Sequence, residues 1–373
     1  MAITRLGPNQ DITAAKIAGQ INFKNLIING DMSIAQRGTS TSGVTTTDGY
    51  YACDRWYSQT DIGTWTISQS TDVPTGQGFA NSFKLDCTSA GTSNADEVSI
   101  RQYVEGQFLQ QLAYGTSSAK SITISFWIKS NKTGEYTFSM KNLNSSQERL
   151  LGFNYTIDSA DTWEKKTFTF SGDTSISIEN TNSAEFELYW WFSAITALRS
   201  GTVYNSWQNY NVANHASSDL AGLGGSTSDY VNITGVQLEA DTSASDFEFL
   251  PYDINLMRCQ RYYLLIGKDD GTGKYIANAF YYNSTLLKIH IEPPVEFRAT
   301  PSVEQITATN WLIAYRNGGG DNISNSILLD GTDSKRFMSL YATGGDVSGT
   351  GGFAAGLYIA TGPGGLLALS AEL

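Results

Sequence analysis

The chain has 373 residues, 40% of them hydrophobic, which is enough to bury two substantial cores and excludes a disordered polypeptide. Its 36 Gly against 7 Pro, with abundant Ser, Thr, Asn and Tyr, is the composition of short strands joined by tight turns, so helix is expected to be scarce. The formal charge of −12 comes without a Lys/Arg cluster, which excludes the electrostatic footprint of a nucleic-acid or anionic-lipid binder and leaves a neutral or amphiphilic partner.

In chain order, residues 1–24 carry no strand alternation. Ile12 and Ile17 are too few to give a helix there a stable buried face, so the segment is expected to be an arm that docks the chain to a larger assembly. It has neither a cationic start leading into an apolar run nor a cleavage site, and no stretch of the chain approaches a bilayer-spanning length. A soluble protein made without a signal peptide and not inserted into membranes is expected.

From Asn25 to about Leu250 every second side chain is apolar in one segment after another, the period of a sheet with one buried face. Ile122, Ile124, Phe126 and Ile128 alternate with Thr123, Ser125 and Trp127. In Phe186–Phe192, Phe186, Leu188, Trp190 and Phe192 share one face, and Glu187, Tyr189 and Trp191 the other. In Val231–Leu238 the apolar parity shifts, which predicts a β-bulge at Thr234–Gly235. Many short antiparallel strands with long connections predict a jelly-roll sandwich over 25–250. Leu256, Met257, Gln260 and Tyr263 then recur at helical spacing, predicting a linker helix within 251–264. Strands resume over 265–373, separated by GTG, NGGG, GG and GPGG turns, as a second, smaller β-sandwich. The fold class expected is therefore all-β.

Chemistry is sparse. Cys53, Cys87 and Cys259 are odd in number and far apart, so no disulfide framework is expected. His215, in a polar loop, and His290, on a strand, read as surface residues, and no spacing suits zinc. No catalytic residue, metal or cofactor is expected, although Asp/Asn-rich loops would accept a structural Ca²⁺. Glu185, Glu187, Asp219 and Asp229 are the carboxylates a glycosidase would need, yet among 36 acidic residues nothing singles out a pair. Asp54 and Arg55, with Arg37 nearby, are expected to close a loop under Trp56 as a charge-assisted pair. The positive signal is aromatic: Tyr204, Trp207 and Tyr210 sit among Asn205, Asn209, Asn211 and Asn214, one strand after Trp191. Sugar rings stack on such side chains while amides meet their hydroxyls, so Trp191, Tyr204, Trp207 and Tyr210 are the candidate glycan contacts. The competing expectation is that these rings pack under the loop or into a subunit interface.

Several ordered phrases resemble those of bacteriophage tail-fibre and host-attachment proteins. NLIINGDMSIAQRGTS (Asn25–Ser40) followed by YYACDRWY (Tyr50–Tyr57) is similar to the entry of their jelly-roll domain, which resembles a carbohydrate-binding module. ITGVQLEA, FEFLPYD and CQRYY resemble its exit and linker, and EPPVEFRATPSV with the closing SAEL resembles their C-terminal domain. The resemblance implies a homotrimer on the tail or capsid surface of a virion, attached through residues 1–24 to other virion proteins and binding a host-cell surface glycan without enzymatic activity. The chain departs from a full fibre in having no long shaft, which implies a compact spike or tip. A capsid decoration protein and a glycan-degrading spike are the alternatives.

Overall fold

The computed structural model describes residues 23–46, 48–92, 96–307, 309–331, 335–362 and 364–373. All but Phe23 and Lys24 of the expected docking arm lies outside the described residues.

Among these residues thirteen strands run from Ser40 to Glu239. They are β1 (Ser40–Val44), β2 (Gly49–Tyr50), β3 (Tyr57–Thr60), β4 (Thr64–Ser70), β5 (Ser82–Ser89), β6 (Val98–Glu105) and β7 (Ile122–Ser130). There follow β8 (Gly134–Asn142), β9 (Arg149–Ile157), β10 (Glu164–Phe170), β11 (Ala184–Ser193), β12 (Gln208–Asn209) and β13 (Tyr230–Glu239). A back sheet is ordered β1-β4-β5-β13-β7-β10 and a front sheet β12-β9-β8-β11-β6-β3-β2. The chain passes from one sheet to the other between β5 and β6, β6 and β7, β7 and β8, β9 and β10, and β10 and β11, the winding of a jelly roll. Alternation drives this arrangement. Phe186, Leu188, Trp190 and Phe192 of β11 face the inter-sheet core, where the Trp190 ring lies 5.5 Å from Trp56, 5.9 Å from Phe126 and 5.0 Å from Phe138.

The parity shift in β13 is a bulge. The register against β7 slips between Thr234 and Gln237, and Gly235 adopts φ +61. A Cβ there would also fall 2.5 Å from the Phe79 ring. Gly235→Ala is therefore expected to lower stability by about 2–4 kcal/mol, combining left-handed strain with overpacking, and the urea midpoint measures it.

The opening phrase differs from expectation. Residues 25–28 do not form a strand, because side chains satisfy much of their backbone: Gln102 accepts from the Ile28 N–H and donates to the Ile28 carbonyl. Asn25 donates to the Val236 carbonyl and accepts from the Leu238 N–H, so the opening and closing phrases lie side by side. Asn29, at φ 58, turns the chain and receives the Trp56 indole N–H on its carbonyl.

A four-residue helix, α1 (Thr196–Arg199), precedes the linker helix α2 (Tyr252–Gln260). The buried positions of α2 are Asn255 and Cys259 rather than the expected apolar stripe, and Met257 is exposed. The reason is polar docking: the Asn255 amide donates to Asp31 and Ser33, while Cys259 packs with Ile28, Ile34 and Tyr262.

Ten strands follow: β14 (Tyr263–Lys268), β15 (Lys274–Asn283), β16 (Leu286–Ile291), β17 (Ser302–Ile306) and β18 (Leu312–Arg316), then β19 (Gly319–Ile323), β20 (Leu328–Leu329), β21 (Met338–Thr343), β22 (Ala354–Ile359) and β23 (Leu366–Ser370). They form a three-stranded sheet, β14-β23-β17, against a seven-stranded one, β19-β18-β22-β15-β16-β21-β20. Leu264, Leu367 and Leu369 meet Tyr281, Leu287, Leu340 and Leu357 between them, the core of a second, smaller sandwich. The NGGG stretch is only partly a turn: Gly318 (φ +82) reverses the chain, and Gly319 and Gly320 then pair with Arg316 and Tyr315 as part of β19.

The two sandwiches meet at a buried ionic joint, and here the expected Asp54–Arg55 pair is corrected. Arg55, at φ 73, points away from Asp54 and pairs with Glu372, its guanidinium 3.5 Å above the Tyr262 ring. Arg37 joins Glu372 at 3.3 Å and lies 3.6 Å over Tyr263. Asp54 instead accepts hydrogen bonds from the Gln36 N–H and side-chain amide. Nearby, Arg261 grips Glu105 through both Nε and Nη2.

Candidate functional site

The register places three rows of side chains across the outward face of the front sheet. One row is Tyr57, Arg101, Tyr189, Ser139 and Gly152; the next is Gln59, Ser99, Trp191, Thr137 and Asn154; on the other side lie Tyr103, Glu187 and Lys141. The segment joining β11 to β13, residues 194–229, folds over one half of this face. Leu198, Ala216 and Leu220 cover Trp191, and the Ser217 N–H donates to the Thr137 hydroxyl.

This cover decides the fate of the four expected contacts. Trp191 does leave the core face, but it is only 1% exposed, stacked 5.0 Å from Tyr189 and donating from its indole to Ser139. Trp207, 8% exposed, is pulled inward against Tyr114 and Phe186 and belongs to the main core. Tyr204 is 43% exposed, and Tyr210 is half-buried with the Lys141 ammonium 4.1 Å from its ring. The four therefore do not share one exposed surface: two are covered and two remain open.

His215 is corrected as well. It is buried under the loop beside Tyr189, Trp191 and Tyr210, and burial, with Lys141 and Arg101 nearby, pushes its pKa down to about 3. It is neutral at physiological pH. His290 is exposed and stacks on Phe337.

On the uncovered half, Arg101 organises the surface. Its guanidinium lies 4.7 Å from the Tyr189 ring and 5.7 Å from the Tyr57 ring, and Glu97 and Glu187 each sit 3.7 Å away. Burial and the Glu187 charge hold the Tyr103 and Tyr189 hydroxyls protonated, as hydrogen-bond donors. Tyr57, Arg101, Tyr103 and Lys141, with Tyr210 reaching in from the covering segment, thus offer ring faces together with fixed donors and acceptors. Arg101 and Tyr103 are outward positions of β6, in VSIRQYVE, and strand parity is the signal that would have found them.

The carboxylates hold structure together. Asp229 accepts from the Gly224 and Ser226 N–H groups, Glu185 accepts from the Glu179 N–H, and Glu187 faces Arg101; Asp219 is exposed. At the edge of the covering loop lies a pocket of about 320 Å³ with Asp96, Lys132 and Arg199 on its walls. Cys53, Cys87 and Cys259 are free and buried, and burial raises each thiol pKa. Among the described residues no group of three or more His, Cys, Asp or Glu is placed to hold a metal ion.

No family model matches the chain, and no curated protein matches it. Solved structures match parts of the chain at low identity and low TM-score. The enzymatically active domain of tailspike protein 4 of bacteriophage CBA120 is 14% identical, with a TM-score of 0.32 over 58% of this chain and 21% of that one. The chain thus spans about a fifth of that domain's length. The CBM22-2 xylan-binding domain of Paenibacillus barcinonensis Xyn10C is 14% identical, with a TM-score of 0.27 over 50% of this chain and 91% of the domain. The family 11 carbohydrate-binding module of Clostridium thermocellum, in complex with a mixed-linked tetrasaccharide, is 12% identical, with a TM-score of 0.25 over 55% and 98%. Likeness at this level assigns neither a family nor a ligand to the chain.

Proposed function

We propose that the chain is a non-enzymatic bacteriophage virion protein that attaches to a host-cell surface glycan, acting as a trimer. The observation that carries the glycan reading is the open half of the front sheet. There, the partly exposed rings of Tyr57 and Tyr210, suited to a sugar's apolar side, stand near Arg101, whose guanidinium is shared between Glu97 and Glu187, so that donors and acceptors are in place for hydroxyls. The virion setting is supported by the ordered phrases from Asn25 to Leu373 that resemble phage attachment proteins. A trimer would multiply weak contacts by avidity, and closed rotational symmetry covers exposed aromatic surface without open-ended growth. The reading as a non-enzyme is supported by Glu185, Glu187 and Asp229, each held in hydrogen bonds or an ion pair.

The test is binding of the purified chain to host surface polysaccharide, with Tyr57→Ala/Tyr210→Ala beside the wild type. Loss of two stacking rings, each worth about 0.5–1.5 kcal/mol, is expected to weaken binding roughly tenfold, with circular dichroism reporting whether the variant stays folded. Equal binding by a folded double variant removes this face from the proposal. Shortening of the polymer during incubation would instead favour the glycan-degrading spike.

A further inference from the structure

We infer that the second sandwich carries its own saccharide-binding platform, built from Tyr275, Tyr315 and Tyr358 on the outward face of its seven-stranded sheet. The juxtaposition follows from register. Tyr275 of β15 pairs directly with Tyr358 of β22, and one row along, Asn278, Gly356 and Tyr315 align across β15, β22 and β18. Residues directly opposite in an antiparallel sheet share a face, so all of these point away from the core. The ring centroids form a triangle with sides of 5.3, 5.5 and 6.1 Å.

Three glycines place the rings. A Cβ on Gly356 would meet the Tyr275 ring at 2.8 Å, one on Gly273 would meet the Tyr358 hydroxyl at 1.8 Å, and one on Gly320 would lie 3.1 Å from Tyr315. Each ring rests against bare backbone, yet Tyr275 is 66% and Tyr315 41% exposed. Rings merely shielding glycines have no need of this exposure, and exposed aromatics held in fixed positions lose little entropy when a flat apolar ligand settles on them.

Beside Tyr315 a shallow, open depression of about 360 Å³ is lined by Asn278, Arg316, Asn317, Ala354, Ala355 and Gly356. Two amides and a guanidinium thus stand beside the Tyr315 ring, at one edge of the tyrosine cluster, a pattern that suits a polyhydroxylated ring with one apolar face. Charge narrows the class. Arg316 is paired with Asp321 at 3.1 Å and bonded to Ser348, and Lys274 is paired with Asp270 at 2.6 Å, so the cations flanking the platform are already neutralised. The ligand that complements such a surface is a neutral oligosaccharide rather than a polyanion. This platform is independent of the front sheet of the first sandwich, and either can fail without the other.

The test uses the full chain in calorimetric titrations with neutral tetrasaccharides of glucose, galactose and mannose, and with a hyaluronan tetrasaccharide as the anionic control. Tyr275→Ala and Tyr275→Ala/Tyr315→Ala are compared with the wild type. The expected result is saturable binding of at least one neutral tetrasaccharide, weakened tenfold or more by the folded Tyr275 variants, and absent for hyaluronan. No binding of any neutral tetrasaccharide by the wild type, or binding indifferent to Tyr275, overturns the inference. A Tyr275→Ala variant that changes subunit assembly but not binding assigns the face to a second copy of the chain and equally overturns it. Should the double variant fail to fold, the single Tyr275 variant decides.

Discussion

Replacing Glu372 by alanine is expected to destabilise the chain by about 3–5 kcal/mol, the cost of stripping the partner from a buried charge. Arg55 is fully buried, and Glu372 is its carboxylate; Arg37, 8% exposed, shares the same carboxylate. The Arg55 guanidinium has no route to water, although its Nη2 still donates to the Tyr103 carbonyl and its plane still rests on Tyr262. The joint between the sandwiches is therefore a place where a single truncation is costly. Chemical denaturation of Glu372→Ala measures the loss. Arg55→Met/Glu372→Leu, which removes both charges, should recover a large part of it, because two buried charges deleted together leave none unpaired. A loss below about 1 kcal/mol in the single variant would mean that water reaches Arg55 in solution.

Asp54→Asn is the second large effect, read as a change in pH dependence. Burial pushes the Asp54 carboxyl up to about 6, with Glu372 adding to the rise while Gln36 and Arg37 oppose it. The unfolded-state value is near 3.8, so between these limits the folded chain binds a proton that the unfolded chain has released. Stability from this group is thus fully present below pH 3.8 and is lost as pH rises through about 6. The difference of roughly two pH units corresponds to about 3 kcal/mol. Urea midpoints at pH 4.5 and 7.5 should therefore differ less in Asp54→Asn than in the wild type. Equal pH dependence in both would place the Asp54 carboxylate in contact with solvent.

What the sequence makes legible is periodicity and local turn chemistry. The alternation of Phe186–Phe192 assigns its faces correctly, and the parity slip around Gly235 locates a bulge, because both are properties of neighbouring residues. Parity does not say what covers a face. Trp191 leaves the core as expected and is then buried by a segment whose path depends on contacts such as Ser217 with Thr137, 80 residues away. Arg55 and Glu372 are 317 residues apart, whereas local sequence offers Arg55 only its neighbour Asp54. The helix at Tyr252–Gln260 was visible, but its buried face is set by Asp31 and Ser33, more than 200 residues earlier, rather than by its own apolar spacing. The open half of the front sheet was legible in principle from the outward positions Arg101 and Tyr103 of β6, and the Tyr275, Tyr315 and Tyr358 cluster only once three strands had been aligned.

The most direct test of the attachment account is adsorption of the labelled, assembled chain to host cells, measured with and without surface polysaccharide extracted from those cells. Saturable adsorption that the free polysaccharide competes away, and that also blocks phage adsorption, is the predicted result. Folded protein that leaves the cells unlabelled, or labels them equally in the presence of excess polysaccharide, would contradict it.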